Sequence, residues 1–348
     1  MTSAQPPMNQ SPNQSPKYQT PFYTKISGTG SYLPEKILSN ADLEKMVDTN
    51  DQWITERTGI KERRVAAPEQ VTTDLALIAA QRALEAANLT AHDIDMILFS
   101  TVTSDQTMPT SSCVLQRKLG ARQIPAMDIS AACSGFVYGA TVADQFIRTG
   151  MYKHVLVIGA EILTRVVNFK DRETCILFGD GAGAVIFSRT EDPNGSRILT
   201  SHLRADGGLS DLFALASGGS AMPLSQAVLD GGHQYIKMKG REIFKHAVRT
   251  MNLVCKEALD ANGMTIDQID WLIPHQANLR IIDAVGSHVG IDPKHVIVNV
   301  QKTGNTSAAT VPIAMDEAIR DGRIKRGQHV LLTVFGAGLT SGSLLMRY

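Results

Sequence analysis

Ala83-Leu84-Glu85-Ala86-Ala87-Asn88-Leu89-Thr90-Ala91-His92-Asp93-Ile94-Asp95-Met96-Ile97 is matched without a gap by Ala258-Leu259-Asp260-Ala261-Asn262-Gly263-Met264-Thr265-Ile266-Asp267-Gln268-Ile269-Asp270-Trp271-Leu272, at an offset of 175 residues (Leu84 to Leu259). Each copy reads as the end of an amphipathic helix, a turn and a buried strand. A second pair, Ile147-Arg148-Thr149-Gly150 and Ile319-Arg320-Asp321-Gly322, matches at an offset of 172 (Arg148 to Arg320). Both members lead into apolar strands, Val155 to Gly159 and Val330 to Val334. Helix-then-strand order written twice predicts an α/β chain of two similarly wound halves. The halves are assigned to residues 22–190 and 191–348, after a tail over 1–21. At the offset of 172 Cys133 faces Asn305, and at 175 His275 corresponds to Ser100. Two such halves bring strand ends and helix starts to one central place, where ligands of open α/β sheets usually lie.

A chain of 348 residues is long enough for about two domains. Lys+Arg and Asp+Glu each number 34, so no global field draws it to nucleic acid or an anionic membrane. No run of about 18 apolar residues is present, and no membrane span is expected. Met1 to Thr20 are rich in Gln, Ser, Pro and Asn and lack the apolar core of a signal peptide. They read as a disordered tail without a secretion signal. Cys113, Cys133, Cys175 and Cys255 are widely separated and show neither CxxC nor CxxH spacing. Reduced thiols in a cytoplasm fit this better than a disulfide framework or a metal site.

In Asp128-Ile129-Ser130-Ala131-Ala132-Cys133-Ser134-Gly135-Phe136, small residues surround one thiol where a strand gives way to a helix. The unpaired N–H groups and dipole of a helix start favour a thiolate, so the Cys133 pKa is expected to fall from about 8.5 towards neutrality. By itself the segment fits a buried structural cysteine as well. His275 directly follows the apolar Trp271-Leu272-Ile273-Pro274, and Asn305 lies in Lys302-Thr303-Gly304-Asn305-Thr306-Ser307, another turn into a helix of small residues. Singly, these pass as a structural histidine and a helix cap. At three equivalent strand-to-helix junctions, Cys, His and Asn suit thioester chemistry. A thiolate attacks an acyl thioester, while neutral imidazole and carboxamide donate hydrogen bonds to an oxygen that becomes negative. Decarboxylation of a malonyl group needs uncharged donors, because a carboxylate must enter and an enolate must form. Gly179-Asp180-Gly181-Ala182-Gly183 is read as a tight turn, since an apolar strand, Ala184 to Phe187, resumes at once and no helix follows to hold a phosphate. Cys113, Cys175 and Cys255 are read as small core residues.

Ala131-Ala132-Cys133-Ser134-Gly135, Pro274-His275-Gln276-Ala277-Asn278 and Gly304-Asn305-Thr306-Ser307 strongly resemble motifs of β-ketoacyl-acyl carrier protein synthase III. So do Asp51-Gln52-Trp53-Ile54-Thr55-Glu56-Arg57-Thr58-Gly59-Ile60 and Phe178-Gly179-Asp180-Gly181-Ala182-Gly183-Ala184. The resemblance runs from about Ser27 to Tyr348 and implies a thiolase-like α/β fold, in which sheets sandwich helices in a layered core. It also implies a cytoplasmic homodimer and the first condensation of fatty-acid synthesis. By that likeness Cys133 takes an acyl group, typically acetyl, from acyl-CoA, which is a substrate; no cofactor is implied. Malonyl-acyl carrier protein then loses carbon dioxide, its enolate is held by His275 and Asn305, and a 3-oxoacyl-acyl carrier protein is released. The oxyanion hole is assigned to the N–H groups of Cys133 and Ala337. CoA contacts map to Thr49, Trp53, Arg57, Arg172 and Asn278, with adenine between Trp53 and Arg172. Lys245 and Gln276-Ala277-Asn278-Leu279-Arg280 map to the carrier-protein docking surface.

The family loop Gly-Gly-Gly-Phe-Thr-Trp-Gly is here Gly336-Ala337-Gly338-Leu339-Thr340-Ser341-Gly342. Ala tolerates positive φ poorly, so a small shift of this loop is expected. Met108 stands where many relatives carry Phe, at a position that reaches the partner subunit's acyl pocket; its flexibility predicts a broadened primer range. A related condensing enzyme using longer primers for a specialised lipid or signal is the alternative within the family. The order Cys, His, Asn also occurs in papain-like hydrolases. A thiolase would need a further Cys around Gly336 to Gly342, and none is there. A nonenzymatic acyl-binding protein would not require the His and Asn.

Overall fold

The computed structural model describes residues 21–348, so the tail expected over 1–21 lies, apart from Pro21, outside the described residues. The first half opens with β1 (Tyr23–Tyr32), the paired strands β2 (Lys36–Ser39) and β3 (Glu62–Val65), and between them helices α1 (Asn40–Leu43) and α2 (Asp51–Thr58). There follow α3 (Thr72–Ala87), β4 (Met96–Ser100), α4 (Ser111–Leu119), β5 (Ala126–Ile129), α5 (Gly135–Arg148), β6 (His154–Ile162), α6 (Arg172–Cys175) and β7 (Asp180–Thr190). The second half supplies β8 (Arg197–Ala205), β9 (Phe213–Ala214), α7 (Gln226–Asp230), β10 (Lys237–Met238), α8 (Gly240–Asn262) and β11 (Trp271–Pro274). It ends with α9 (Leu279–Val289), α10 (Val300–Thr303), α11 (Thr310–Arg320), β12 (His329–Gly336) and β13 (Thr340–Arg347).

The two main sheets are ordered β1-β7-β6-β4-β5 and β8-β13-β12-β11. In the first, β4 runs parallel to both β5 and β6, in the second β11 runs parallel to β12, and in each the next two pairs are antiparallel. Val296, bridged to Leu272, stands where the second sheet lacks a counterpart of β5. Alternation along β6 shows how the layers form. Val155 and Val157 point to a core shared with α5, α11, β12 and β13, whereas Leu156 and Ile158 point to α3. Helices α8 and α9 cover the far face of the second sheet. The result is five layers, with α5 and α11 in the middle. Each fully buried aliphatic side chain contributes about 1.5–3 kcal/mol to holding them.

The single offset of 175 carries through the strands, pairing Met96 with Trp271 and His154 with His329. It also pairs the helix starts Gly135 and Thr310. The offset of 172 is local: α5 has 14 residues and α11 has 11, so only their ends slip, and the following loop restores the register. Cys133 is therefore the counterpart of Ala308, not of Asn305 as the offset of 172 had it. Two further expectations are corrected. Gly179-Asp180-Gly181-Ala182-Gly183 is not a tight turn but runs into β7, where Gly183 pairs with Gly159 and Ser31. A Cβ on Gly183 would stand 2.7 Å from that of Pro312, so the glycine lets α11 lie close on the sheet. Cys113 is exposed on α4, not in the core, whereas Cys175 and Cys255 are buried. No helix of the described residues is long and apolar enough to cross a membrane.

Candidate active site

Cys133 lies in a 3₁₀ turn, Ala132–Ser134, that runs directly into α5. The preceding Ala132 has φ of +46°, a costly conformation for a residue with a Cβ, so the surrounding contacts must impose it. They come from the other half. The turn packs on β12 and on the equivalent turn Ser307–Ala309, and the Thr340 hydroxyl donates to the Ala131 carbonyl at 2.9 Å. A Cβ on Gly336 would fall 2.7 Å from the Cys133 nitrogen, so bare backbone meets bare backbone here. Ala337 follows at once. Its φ is not positive; Gly338 takes the +132° that the loop requires, so the strain expected at Ala337 does not arise.

Burial pushes the Cys133 thiol up to about 12, with the Ser307 side chain pulling it down and Glu161 pushing it up by smaller amounts. This overturns the expected fall towards neutrality: desolvation outweighs the helix start. The resting nucleophile is a thiol, and its proton must go somewhere.

His275 directly follows β11, its N–H held by the Thr333 carbonyl at 2.8 Å, and is buried. Burial alone pushes it down to about 3, so the ring is neutral at working pH. Its Nδ1 lies 2.7 Å from Thr310 Oγ1, and the same hydroxyl lies 3.0 Å from the Ser307 carbonyl. The hydroxyl has one proton for two acceptors. Given to Nδ1, it leaves the ring hydrogen on Nε2, the tautomer that can donate to an oxyanion. Thr310→Val is expected to lower decarboxylation of malonyl-carrier protein about 10-fold, and Thr310→Ser to retain it, with Cys133 acylation unchanged in both. Carbon dioxide release from each variant checks this.

Asn305 is fixed by backbone on both sides. Its N–H donates to the Leu177 carbonyl at 2.8 Å, and its carbonyl accepts from Gly179 at 3.1 Å. The side-chain Oδ1 accepts the Ser307 N–H at 2.8 Å, which turns Nδ2 into the free donor end. The motif around Phe178-Gly179-Asp180 thus braces Asn305. Behind it, the buried Arg63 guanidinium donates at 2.6 Å to both Asn40 Oδ1 and the Ile176 carbonyl. Asn40 in turn donates to Asp51 on α2 at 2.8 Å. The structure thus joins all three predicted residues through the turns at 132–134 and 307–310.

Trp53 is half-buried on α2, with its N–H capped by Asn50 Oδ1 at 2.8 Å. Arg57 and Arg172 both lie over its ring, at 4.6 and 5.0 Å from the centroid. A flat base fits between Trp53 and Arg172 only after the Arg172 side chain, also bonded to the Asp48 carbonyl, swings outward. The buried Thr49 Oγ1 has no partner. Asn278 caps α9, its Oδ1 accepting from Ile281 at 3.0 Å, so only its Nδ2 is left for a ligand. Lys245 and Arg280 are exposed, and Arg280 lies over Phe244. Ala277 and Leu279 are half-buried, with Leu279 against Gly59. Gln276 does not belong to a docking surface. It is fully buried, donating to the Pro274 and Ile297 carbonyls and accepting from the Asn299 N–H. Met108 is 85% exposed.

Residues 127–207 match the family described as 3-oxoacyl-[acyl-carrier-protein (ACP)] synthase III, and residues 259–348 match its C-terminal region. A beta-ketoacyl-[acyl-carrier-protein] synthase III of Caldanaerobacter subterraneus is 53% identical over 323 residues, 93% of this chain and 97% of that protein. The like-named protein of Thiobacillus denitrificans is 51% identical over 94% of this chain and 99% of its own length. The chain belongs to the β-ketoacyl-acyl carrier protein synthase III family. The crystal structure of 3-oxoacyl-[acyl-carrier-protein] synthase III from Aquifex aeolicus superposes with a TM-score of 0.86 at 49% identity, covering 93% of this chain and all of that one. That from Pseudomonas aeruginosa gives 0.87 at 35%, covering 94% and 98%. The fold is thus the thiolase-like one, and the protein is a condensing acyltransferase of fatty-acid synthesis. The hydrolase alternative is set aside. Three residues escaped the sequence reading: Thr310, Ser307 and the buried Glu161. Glu161 carried the clearest signal, a carboxylate inside the apolar run Val155 to Ile162.

Proposed function

We propose that this synthase condenses an acyl-CoA primer, acetyl-CoA foremost, with malonyl-acyl carrier protein, using Cys133, His275 and Asn305. The carrying observation is that the Cys133 turn and the Asn305–Thr310 segment pack together, with His275 hydrogen-bonded into the same segment. Cys133 Sγ displaces CoA from the acyl carbonyl. Malonyl-carrier protein then enters, its C–C bond to the carboxylate breaks, and carbon dioxide leaves. The electron pair becomes an enolate whose oxygen accepts hydrogen bonds from His275 and Asn305 Nδ2. Uncharged donors leave the entering carboxylate ionised and ready to depart. The enolate carbon attacks the Cys133 thioester, the tetrahedral oxygen accepts from the N–H groups of Cys133 and Ala337, and the sulfur is expelled. No resident cofactor takes part.

Trp53, Arg57 and Arg172 are assigned to the CoA nucleotide, with Thr49 and Asn278 beside its path; stacking of this kind is worth about 0.5–2 kcal/mol. Lys245 and Arg280, with Arg241 and Arg249 a turn either side of Lys245 on α8, are assigned to an acidic carrier protein. A homodimer is supported by the open edge of β5 and the exposed apolar Met108, Met127 and Val102 near it. Met108 would then reach the partner's acyl pocket. A cytoplasmic setting suits the unpaired cysteines.

Incubation with acyl-CoAs of graded length, with the adduct located by mass, tests this reading. One acyl group on Cys133, released by malonyl-carrier protein with carbon dioxide, is the expected result, with butyryl-CoA accepted alongside acetyl-CoA. Labelling of Cys175 or Cys255, or of the exposed Cys113 alone, would overturn it.

A further inference from the structure

Arg63 on β3 is a cation that no step of the condensation uses. It is fully buried, and burial pulls the guanidinium down only to about 10, so it stays charged at neutral pH. Its hydrogen bonds go to one side-chain amide and one backbone carbonyl, and it pairs with no carboxylate among the described residues. Its Nε has no partner either. A cation buried without a counter-ion is costly to the fold, and an apolar side chain of similar length would fill the space at less cost. What the guanidinium adds is a pair of directed, charge-assisted hydrogen bonds.

One of the two bonds anchors the guanidinium and the other holds the site. Asn40, which accepts the first at 2.6 Å, is itself fixed by donating to the Ile60 carbonyl at 2.9 Å and to Asp51 Oδ1 at 2.8 Å. The second, also 2.6 Å, ends on the Ile176 carbonyl. Ile176 adjoins the residues that grip Asn305, whose N–H donates to the Leu177 carbonyl and whose carbonyl accepts from Gly179. The stem of Arg63 lies against the same junction. A Cβ on Gly304 would stand 3.1 Å from Arg63 Cγ and 3.0 Å from the Leu177 carbonyl oxygen, and one on Gly179 would stand 3.2 Å from Arg63 Cβ. Gly304 has φ of +64° and ψ of −169°, a conformation open essentially to glycine alone. The Asn305 backbone is thus pressed into place from behind by one side chain, while the Ser307 N–H orients its amide. The Cys133 turn is held elsewhere, by β12 and Thr340.

We propose that Arg63 is a positioning residue for enolate formation, holding the Asn305 backbone so that Nδ2 meets the developing oxyanion, and that it has no part in loading Cys133. The inference rests on Asn305 holding the malonyl-derived enolate. Arg63 acts only through Asn305, and a donor displaced by a fraction of an ångström loses much of its effect on a transition state.

Two assays test this: carbon dioxide release over a range of malonyl-carrier protein concentrations, and acylation of Cys133 by saturating acetyl-CoA, read by mass. Arg63→Met is expected to lower kcat for carbon dioxide release about 30-fold, with KM and the acylation rate within about threefold of wild type. Arg63→Lys keeps the charge and reaches one of the two acceptors, so it should lose about fivefold, again in carbon dioxide release alone. It decides the matter if Arg63→Met does not fold. Because Arg63 works through Asn305, combining Arg63→Met with Asn305→Ala should slow carbon dioxide release no further than Asn305→Ala does by itself. Unchanged kcat, equal loss in both assays, or a double variant slowed by the product of the two single effects would overturn the proposal. Wild-type carbon dioxide release by Asn305→Ala would instead overturn the assignment of Asn305 to the enolate.

Discussion

Cys133→Ala is expected to abolish acyl labelling and lower condensation by at least about 10⁴-fold, while malonyl-carrier protein still loses carbon dioxide. His275→Ala is expected to do the reverse, keeping the acyl adduct and lowering decarboxylation by about 10²–10³-fold. The split follows from separate anchoring. The thiol sits on the turn before α5, whereas His275 is held by Thr333 and Thr310, and Asn305 by Leu177, Gly179 and Ser307. Removing the sulfur leaves both enolate donors in place. Because burial holds His275 down to about 3, its donor form persists at every pH above that value. Decarboxylation by Cys133→Ala should therefore show no inflection near 6.5, the pKa of a free histidine. Parallel measurement of adduct mass and carbon dioxide over pH 5–8 checks both points. Equal loss of both half-reactions in His275→Ala would refute the division of labour.

Gly336→Ala should be nearly as damaging, although it adds a single methyl group. That carbon would lie 2.7 Å from the Cys133 nitrogen, 3.0 Å from the Ser134 nitrogen and 3.1 Å from Thr340 Oγ1. Two of the three atoms are backbone and cannot rotate away. The Cys133 N–H, an assigned oxyanion donor, must shift, and loss of one such donor costs about 10²–10³-fold in rate. Overpacking adds about 1–3 kcal/mol of destabilisation. Ala337→Gly is the control: its φ needs no glycine, so kcat should stay within about threefold. Steady-state kinetics and thermal melting of the pair separate loss of the donor from general instability. A Gly336→Ala variant with normal kcat would remove Cys133 N–H from the oxyanion hole.

The layered fold was legible because the repeat has one offset, so the same helix-turn-strand unit places His275 at a strand end with its counterpart Ser100. The site was legible in its three chemical residues, but not in their exact equivalence. The three-residue deficit in α11 produced the misleading offset of 172, and no composition signal reports a shortened helix. Gln276 was misplaced for a different reason. A glutamine in the same run as the polar Asn278 and the exposed Arg280 reads as surface, yet its amide answers two buried carbonyls and one buried N–H that no regular strand partner satisfies. The Gly-rich run misled similarly, since its glycines serve a close helix approach inside a strand. The thiol was given the helix-start effect without the burial that opposes it, and burial is a property of the assembled core.

The 175-residue correspondence sets Gly336 opposite Glu161 and Cys133 opposite Ala308. What began as two like chambers has become one working vessel and one filled niche. Beneath the sulfur lies a bare glycine, Gly336, lent by the other half, whereas the twin turn, with the Ala308 methyl group in place of the sulfur, packs on the strand that carries the Glu161 carboxylate. Divergence after duplication thus need not have added any element. A change of occupancy at two facing positions is sufficient to make one chamber serve the other.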